Sequence, residues 1–234
     1  MAARLGLRGG VFHDAGRGLN DAGVAGLVVL TEVGVPAAAL DHRTCRIGDT
    51  SDMFERGRVS VVNDAARTLG AAEGMSTEEI LTVLARSDPH DPVRLPAAES
   101  RVELFTREGA DRAIVLVDSA ALVEPGDDDG KIIVTGSHGG LIGGDPRKAL
   151  KAIGFAAVFN DAGIGIDDAG IGRLAALDAR GIPALTVDAR TARIGEAFST
   201  LGGIISRAND RARSLGAAPG ETAASRVLEW AREA

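Results

Sequence analysis

Cysteine and aromatic residues are scarce in this sequence, and both shortages narrow what the protein can be. Cys45 is the single cysteine among 234 residues, which excludes an internal disulfide framework and a zinc site built from cysteines. Tyrosine is absent and there is one tryptophan, so platforms on which nucleic-acid bases stack are few. The net charge is −7 and the basic residues are scattered, whereas phosphate binding needs clustered Lys and Arg. We therefore expect no nucleic-acid partner.

Long apolar runs are missing as well. No stretch reaches the roughly 20 residues of a membrane-spanning helix, and the start MAARLGLRGG has no apolar signal-peptide core. Hydrophobic residues still make up 45% of the chain, which is enough for an ordinary globular core. Together with the single cysteine, this predicts a cytoplasmic protein with no membrane partner.

What the sequence does contain is an internal repeat. The segment FHDAGRGLNDAG begins at Phe12, and FNDAGIGIDDAG begins at Phe159. Residues 12–48 and 159–195 are identical at 19 of 37 positions without a gap. After one dropped residue, 57–74 matches 203–220. We interpret residues 12–74 and 159–220 as an internal β-α-β-α duplication.

The pattern predicts an α/β fold with a mainly parallel sheet flanked by helices. Asp167 is expected to cap the first helix of the second copy, and the spacing of Ile204, Ile205, Ala208, Ala212 and Leu215 predicts its second helix. The same pattern places the pairs Ser60/Asn63 and Ser206/Asn209 on helices.

Three regions are predicted along the chain. Residues 1–85 form an incomplete first unit, 86–100 a Pro-rich linker, and 101–234 the second unit with two additional N-terminal strands over 112–119 and 131–137. Because two strands alone do not make a stable sheet, we expect the first unit to add to the second unit or to another subunit. A homo-oligomer is expected, since duplicated units readily pair with symmetric copies.

The candidate catalytic residues follow predicted strands of the second unit, because ligands of parallel sheets bind outside the carboxyl ends of the strands. In the loop TGSHGGLIGG (135–144), Ser137 can act as a nucleophile or hydrogen-bond donor and His138 as a general acid or base. Asn160 and Asp161 can orient a substrate or a water. The alternative is a tight turn whose side chains bond only to backbone.

Further polar and glycine residues at these strand ends are candidates for substrate binding. Arginine presents a planar fork that suits a carboxylate, although a simple Asp–Arg bridge is an equal alternative. The candidates are Ser119, Gly136, Gly139, Gly140, Asp188, Arg190, Thr191 and Arg193.

The first copy offers a possible second site and a possible metal site. The second site consists of His13, Asp14, Asp41, Arg43 and Arg46. A divalent metal is possible at His13, Asp14, Asp41 and His42, although adjacent strand residues point to opposite faces and cannot all ligate together. No cofactor motif is evident, because the P-loop pattern is missing and a dinucleotide-binding glycine pattern is weak. Cys45 is expected to fill a small space.

We expect an enzyme that acts on a small polar metabolite bearing a carboxylate or an amide, with hydrolase or lyase chemistry. Two alternatives remain open. The same pocket can belong to a non-catalytic module that binds a small anion, or the protein can be a structural subunit of an oligomer.

Overall fold

The computed structural model describes residues 6–91, 99–104 and 112–232. These residues form two mixed sheets with mostly parallel strands flanked by helices, which confirms the predicted α/β class. The strands are β1 (Gly10–His13), β2 (Ala37–Leu40), β3 (Val59–Val62), β4 (Arg101–Leu104), β5 (Ile114–Val117), β6 (Ile132–His138), β7 (Ala156–Asn160), β8 (Ala184–Val187) and β9 (Ile205–Ala208). The α-helices are α1 (Ala25–Glu32), α2 (Thr50–Arg56), α3 (Asp64–Thr68), α4 (Thr77–Leu84), α5 (Gly172–Asp178), α6 (Ala197–Gly202), α7 (Asp210–Ser214) and α8 (Ala223–Arg232).

The larger sheet has the strand order β4-β5-β6-β7-β8-β9, and the smaller sheet has the order β1-β2-β3. Strands β5 to β8 are mutually parallel, while β4 and β9 run antiparallel at the two edges. In the smaller sheet β1 is parallel to β2, and β3 is antiparallel to β2. The residues of β5, β7 and β8 are all buried, as expected for strands covered on both faces.

The predicted start of the helix after Gly203 is wrong. Residues 205–208 form the edge strand β9, and the helix α7 begins only at Asp210. The β-branched Ile205 suits a strand, and pairing with β8 supplies backbone hydrogen bonds that outweigh the helical spacing. The first copy behaves in the same way, so Ser60 lies on β3 and Ser206 on β9. The order in each copy is therefore β-α-β-α-β-α.

This third strand changes the expectation for the first unit. With β3 in place the first copy has a three-stranded sheet of its own, so it does not extend the sheet of the second copy. The predicted linker lies partly outside the described residues, at positions 92–98, and the predicted domain boundaries remain predictions.

The two glycine-rich turns share an unusual backbone. Among the described residues, every non-glycine residue with positive φ lies in one of them, at four matching positions in each copy. These residues are Ala15, Arg17, Asn20 and Asp21 in the first turn, and Ala162, Ile164, Asp167 and Asp168 in the second. The predicted cap is wrong, because Asp167 adopts this left-handed conformation and the N-cap residue of α5 is Ile171, which makes no side-chain cap hydrogen bond.

These turns lock the two units together. The backbone N–H of Leu19 donates to the carbonyl of Ala189 at 2.7 Å, and the N–H of Ile166 donates to the carbonyl of His42 at 2.8 Å. Gly16 and Gly163 meet so closely that a Cβ on Gly16 would lie 2.7 Å from the Cα of Gly163. The contacts are reciprocal between the copies, although an evolutionary duplication stays a prediction.

The core lies on both faces of the larger sheet. Fully buried Trp230 of α8 packs in one apolar layer, and fully buried Phe159 of β7 packs in the other. In the part of the chain that the structure describes, no helix has the length and apolar character needed to cross a membrane.

Candidate functional site

A cavity of about 590 Å³ lies beside β1, within the size range of small-molecule sites. We call it the β1 cavity. Its polar side chains are the imidazoles of His13, at the end of β1, and His138, at the end of β6. Its lining residues that the structure describes include no Asp, Glu, Lys or Arg. The large apolar side chains of its wall are Val11, Phe12, Val24, Leu27, Val29, Leu30, Ile47, Met53 and Ile194.

His138 lines this cavity, and one N–H of its ring has no hydrogen-bond partner among the described residues. Its Nδ1 accepts a hydrogen bond from the Gly140 N–H at 3.1 Å, which assigns the proton to Nε2. Burial, aided by the positive charge of Arg173, lowers the pKa of His138 to about 3. The ring is therefore neutral near pH 7, and its Nε2–H donates to no group of the described residues.

His13 has the same tautomer, but both of its nitrogens are occupied. Nδ1 accepts from the Ala15 N–H at 3.0 Å, and Nε2 donates to the Cys45 carbonyl at 3.0 Å. Burial lowers the pKa of His13. In the second copy Asn160 makes the matching contacts, since its Oδ1 accepts from Ala162 and its Nδ2 donates to the carbonyl of Ala192. The amide thus replaces the imidazole as a link between loops.

Arg173 is a buried cation without a carboxylate partner among the described residues. Its guanidinium donates to the carbonyls of Gly140, Lys148 and Ala149. Burial lowers the pKa of Arg173 to about 10, so the group is still charged at neutral pH. It fastens the segment that follows β6 onto α5.

The other predicted catalytic residues make backbone contacts. The Ser137 hydroxyl accepts from the N–H of Ala120 at 2.9 Å. The Asp161 carboxylate accepts from the N–H groups of Gly163 and Ala189, both at 2.9 Å. Of the four predicted catalytic residues, only His138 lines the β1 cavity. Their catalytic roles remain predictions.

The backbones of the three predicted binding glycines bond to a neighbouring loop, strand or helix. Gly136 accepts a hydrogen bond from the N–H of Gly195 through its carbonyl, and Gly139 donates to the carbonyl of Asn160. Gly140 accepts from Arg173, as described above. Ser119 accepts from the N–H of Ala121 at 3.3 Å.

The predicted binding arginines are bound to nearby carboxylates. Arg190 pairs with Asp188, and Arg43 makes the same contact with Asp41 in the first copy. The Arg193 guanidinium pairs with Glu196. The hydroxyl of Thr191 donates to the carbonyl of Asp188 and accepts from the N–H of Ile204. Arg46 reaches across to the second copy and pairs with Asp167. The Arg190–Asp188 and Arg43–Asp41 pairs are the simple Asp–Arg bridges that the sequence left open as an alternative. None of these guanidiniums lines the β1 cavity.

Three of the four predicted metal ligands come together. Asp14, Asp41 and His42 each offer one ligand atom, and these atoms lie within 4.8 Å of one another. His42 Nδ1 lies 3.1 Å from Asp14 Oδ1, and this hydrogen bond raises the pKa of His42. Burial alone would raise the pKa of Asp14, but the hydrogen bonds from His42 and Gly16 bring it below its ordinary value. His13 is not part of this group, because both of its nitrogens are bonded elsewhere.

Cys45 is buried, and burial raises the pKa of its thiol to about 11. The group is therefore a protonated thiol near pH 7, with little nucleophilic character.

Comparison with known proteins gave no match to a family model, a curated protein or a solved structure.

The β1 cavity was not predicted from the sequence. Most of its wall is apolar, and a search restricted to polar strand ends passes over such residues. The sequence contained one signal of this cavity. Gly26, which lines it, corresponds to Arg173 in the second copy. A glycine at a position where the other copy has a large side chain indicates open space.

Proposed function

We propose that this protein binds a small amide-bearing molecule in the β1 cavity, with a carbonyl oxygen of the ligand accepting from His138 Nε2. The observation that carries the proposal is that His138 lines a largely apolar cavity and has a ring N–H with no partner among the residues that the structure describes. A polar group surrounded by apolar walls is stabilised by an acceptor that enters with the ligand.

The described lining residues of the cavity carry no charge, which favours an amide ligand over a carboxylate, the other ligand expected from the sequence. A carboxylate that leaves water for an apolar cavity needs a partner of opposite charge. The described lining residues offer none, since both imidazoles are neutral at pH 7. A neutral carbonyl needs only the hydrogen bond that His138 supplies.

Hydrolase or lyase chemistry on the same molecule stays a proposal. A general base needs a free nitrogen lone pair, whereas His13 and His138 both use Nδ1 to accept a backbone N–H. The geometry therefore supports binding more directly than proton abstraction. Product analysis after incubation with a bound amide tests catalysis. An unaltered ligand would show that the protein binds the amide without converting it.

The binding proposal is tested by calorimetry with three probes that share an aromatic ring: N-methylbenzamide, benzoate and propylbenzene. We expect the amide to bind more tightly than either of the other two. Gly26→Leu places a side chain at the cavity wall and is expected to abolish binding. Gly202→Leu is the matched control, because Gly202 is also an exposed glycine in a helix with open space around it. Equal binding by both variants would contradict the proposed location.

A divalent metal at Asp14, Asp41 and His42 is a second candidate, supported by the proximity of their ligand atoms. The mixed nitrogen and oxygen donors suit Zn, Mn or Fe. A metal would compete with the proton on His42, whose pKa the neighbouring Asp14 raises. Zinc titration should therefore give weaker binding at pH 6 than at pH 8. Binding should be lost in His42→Ala and kept in His13→Asn, and unchanged binding by His42→Ala would exclude this site.

A further inference from the structure

Strand β1 has an open edge where its counterpart has a neighbour. Positions 147 residues apart correspond in the two copies, as Phe12 and Phe159 do. By this correspondence β1 matches β7. In the larger sheet β7 is paired with β6 on one side and β8 on the other, whereas among the described residues β1 is paired with β2 alone. Within the part of the chain that the structure describes, the first copy therefore has no counterpart of β6.

The β1 cavity lies where a counterpart of β6 would run beside β1. At the end of β6, a Cβ on Gly139 would meet the carbonyl of Gly170 at 2.6 Å and the side chain of Thr186 at 2.8 Å. The corresponding residues of the first copy, Gly23 and Ala39, both line the cavity. Backbone fills this space in the second copy, whereas no described residue fills it in the first.

The backbone hydrogen bonds show the same correspondence. Gly139 donates its N–H to the Asn160 carbonyl at 2.7 Å, and its own carbonyl accepts from the Arg173 N–H at 2.7 Å. The positions that correspond to Asn160 and Arg173 are His13 and Gly26, which line the cavity.

A third bond extends this pattern along the strand. The Gly195 N–H donates to the Gly136 carbonyl at 2.7 Å. The residue of the first copy that corresponds to Gly195 is Gly48, which also lines the cavity. Three residues whose backbone bonds to Gly136 or Gly139 in the second copy thus have counterparts that line the cavity in the first.

We infer that the β1 cavity receives a short extended peptide that runs parallel to β1, as β6 runs parallel to β7. The inference rests on the proposed function and specifies its ligand, whose amide is then a peptide amide. The carbonyl of His13 accepts from the peptide, and the N–H groups of Gly26 and Gly48 donate to it. Such strand addition gains affinity from backbone hydrogen bonds and selectivity from side-chain pockets.

The walls also define the kind of peptide. Where the peptide passes Gly23, it needs a glycine, because Gly139 has no room for a Cβ at the corresponding place. Apolar residues of α1, including Leu27 and Leu30, and Met53 of α2 form part of the remaining wall. A neutral peptide with small or apolar side chains fits these surroundings, and a charged one would be buried without a partner.

The test uses acetyl-VTGSHGG-amide, which reproduces residues 134–140, the C-terminal part of β6 and the two glycines that follow it. We expect it to bind the full-length protein and to shift the backbone amide resonances of His13, Gly26 and Gly48. N-methylation of its sixth residue, the counterpart of Gly139, removes the N–H that bonds to His13 and should weaken binding about tenfold. Gly26→Leu should abolish binding, and Gly202→Leu should retain it.

Several results would overturn the inference. Absence of peptide binding, or equal affinity of the N-methylated and parent peptides, excludes strand addition. If N-methylbenzamide still binds in the cavity, the proposed function survives that failure; if neither probe binds, both fail. A dimer that forms through β1 without added peptide and that Val11→Pro dissociates would show that a second copy, not a peptide, covers this edge.

Discussion

At the residue scale, two buried asparagines do the same structural work in the two copies. Oδ1 of Asn63 accepts from the N–H groups of Ala37 and Ala66, and its Nδ2 donates to the carbonyl of Val35. Asn209 repeats these contacts with Ala184, Ala212 and Ile182. Each asparagine joins a strand start to a helix N-terminus, and its amide is satisfied on both ends.

Asn209→Ala should lower the free energy of unfolding by about 3 kcal/mol, because the cap is lost and buried backbone groups lose their partners. Urea denaturation followed by circular dichroism measures this change. Ser225→Ala, at an exposed position of α8, should change the stability by less than about 0.5 kcal/mol. A loss below about 1 kcal/mol for Asn209→Ala would contradict this role.

The imidazole of His138 makes the stability of the protein depend on pH. Its pKa is lowered from 6.5 to about 3, so between these values the unfolded chain binds a proton that the folded protein does not. Stability therefore falls as the pH drops through this window, by up to about 1.4 kcal/mol per pH unit from this group. His138→Asn keeps an acceptor for Gly140 and should remove this dependence. The difference in stability between the wild-type protein and His138→Asn should be constant from pH 7 to 9 and should change as the pH falls below 6.5. A difference that stays constant down to pH 4 would refute the assignment.

At the scale of elements, the paired glycine-rich turns hold the two sheets in place. Their left-handed residues include Ile164, and a β-branched residue is costly in this conformation. The strain persists because each turn packs against the other and bonds to it through backbone groups.

Gly163→Ala should destabilise the protein by about 2 kcal/mol or more, because the new Cβ would lie 2.8 Å from the Cα of Gly16 in left-handed backbone. Gly26→Ala should instead stabilise it by about 0.5–1 kcal/mol, since Gly26 is helical and has open space at its Cβ position. Thermal unfolding of both variants separates the two effects. A neutral Gly163→Ala would show that the turns are not tightly interlocked.

Elements with a continuous apolar pattern were predictable from sequence. The predicted strands over 112–119 and 131–137 contain β5 and most of β6, because buried parallel strands are apolar throughout. Strand β9 was not predictable in this way. Its four residues also fit helical spacing, and only pairing with β8 decides between the two structures.

At the scale of the whole molecule, the candidate site depends on a difference between the two copies. Strand β7 has β6 as a neighbour, whereas among the described residues its counterpart β1 has the cavity on that side. The sequence predicted two additional strands before the second copy, and it placed His138 at a strand end. It did not predict a cavity beside β1, because the cavity depends on how the two sheets pack. The tautomer of His138 likewise depends on a backbone N–H whose position follows from folding. The predicted homo-oligomer remains a prediction.

The most direct measurement is the ¹H–¹⁵N resonance of His138 Nε2–H in protein labelled with ¹⁵N-histidine, followed as N-methylbenzamide is added. The resonance is assigned through its disappearance in His138→Asn. We predict a saturable shift of this signal to lower field, because the ligand carbonyl accepts its proton, and no such shift in Gly26→Leu. A signal that stays in place while the amide binds would contradict the account.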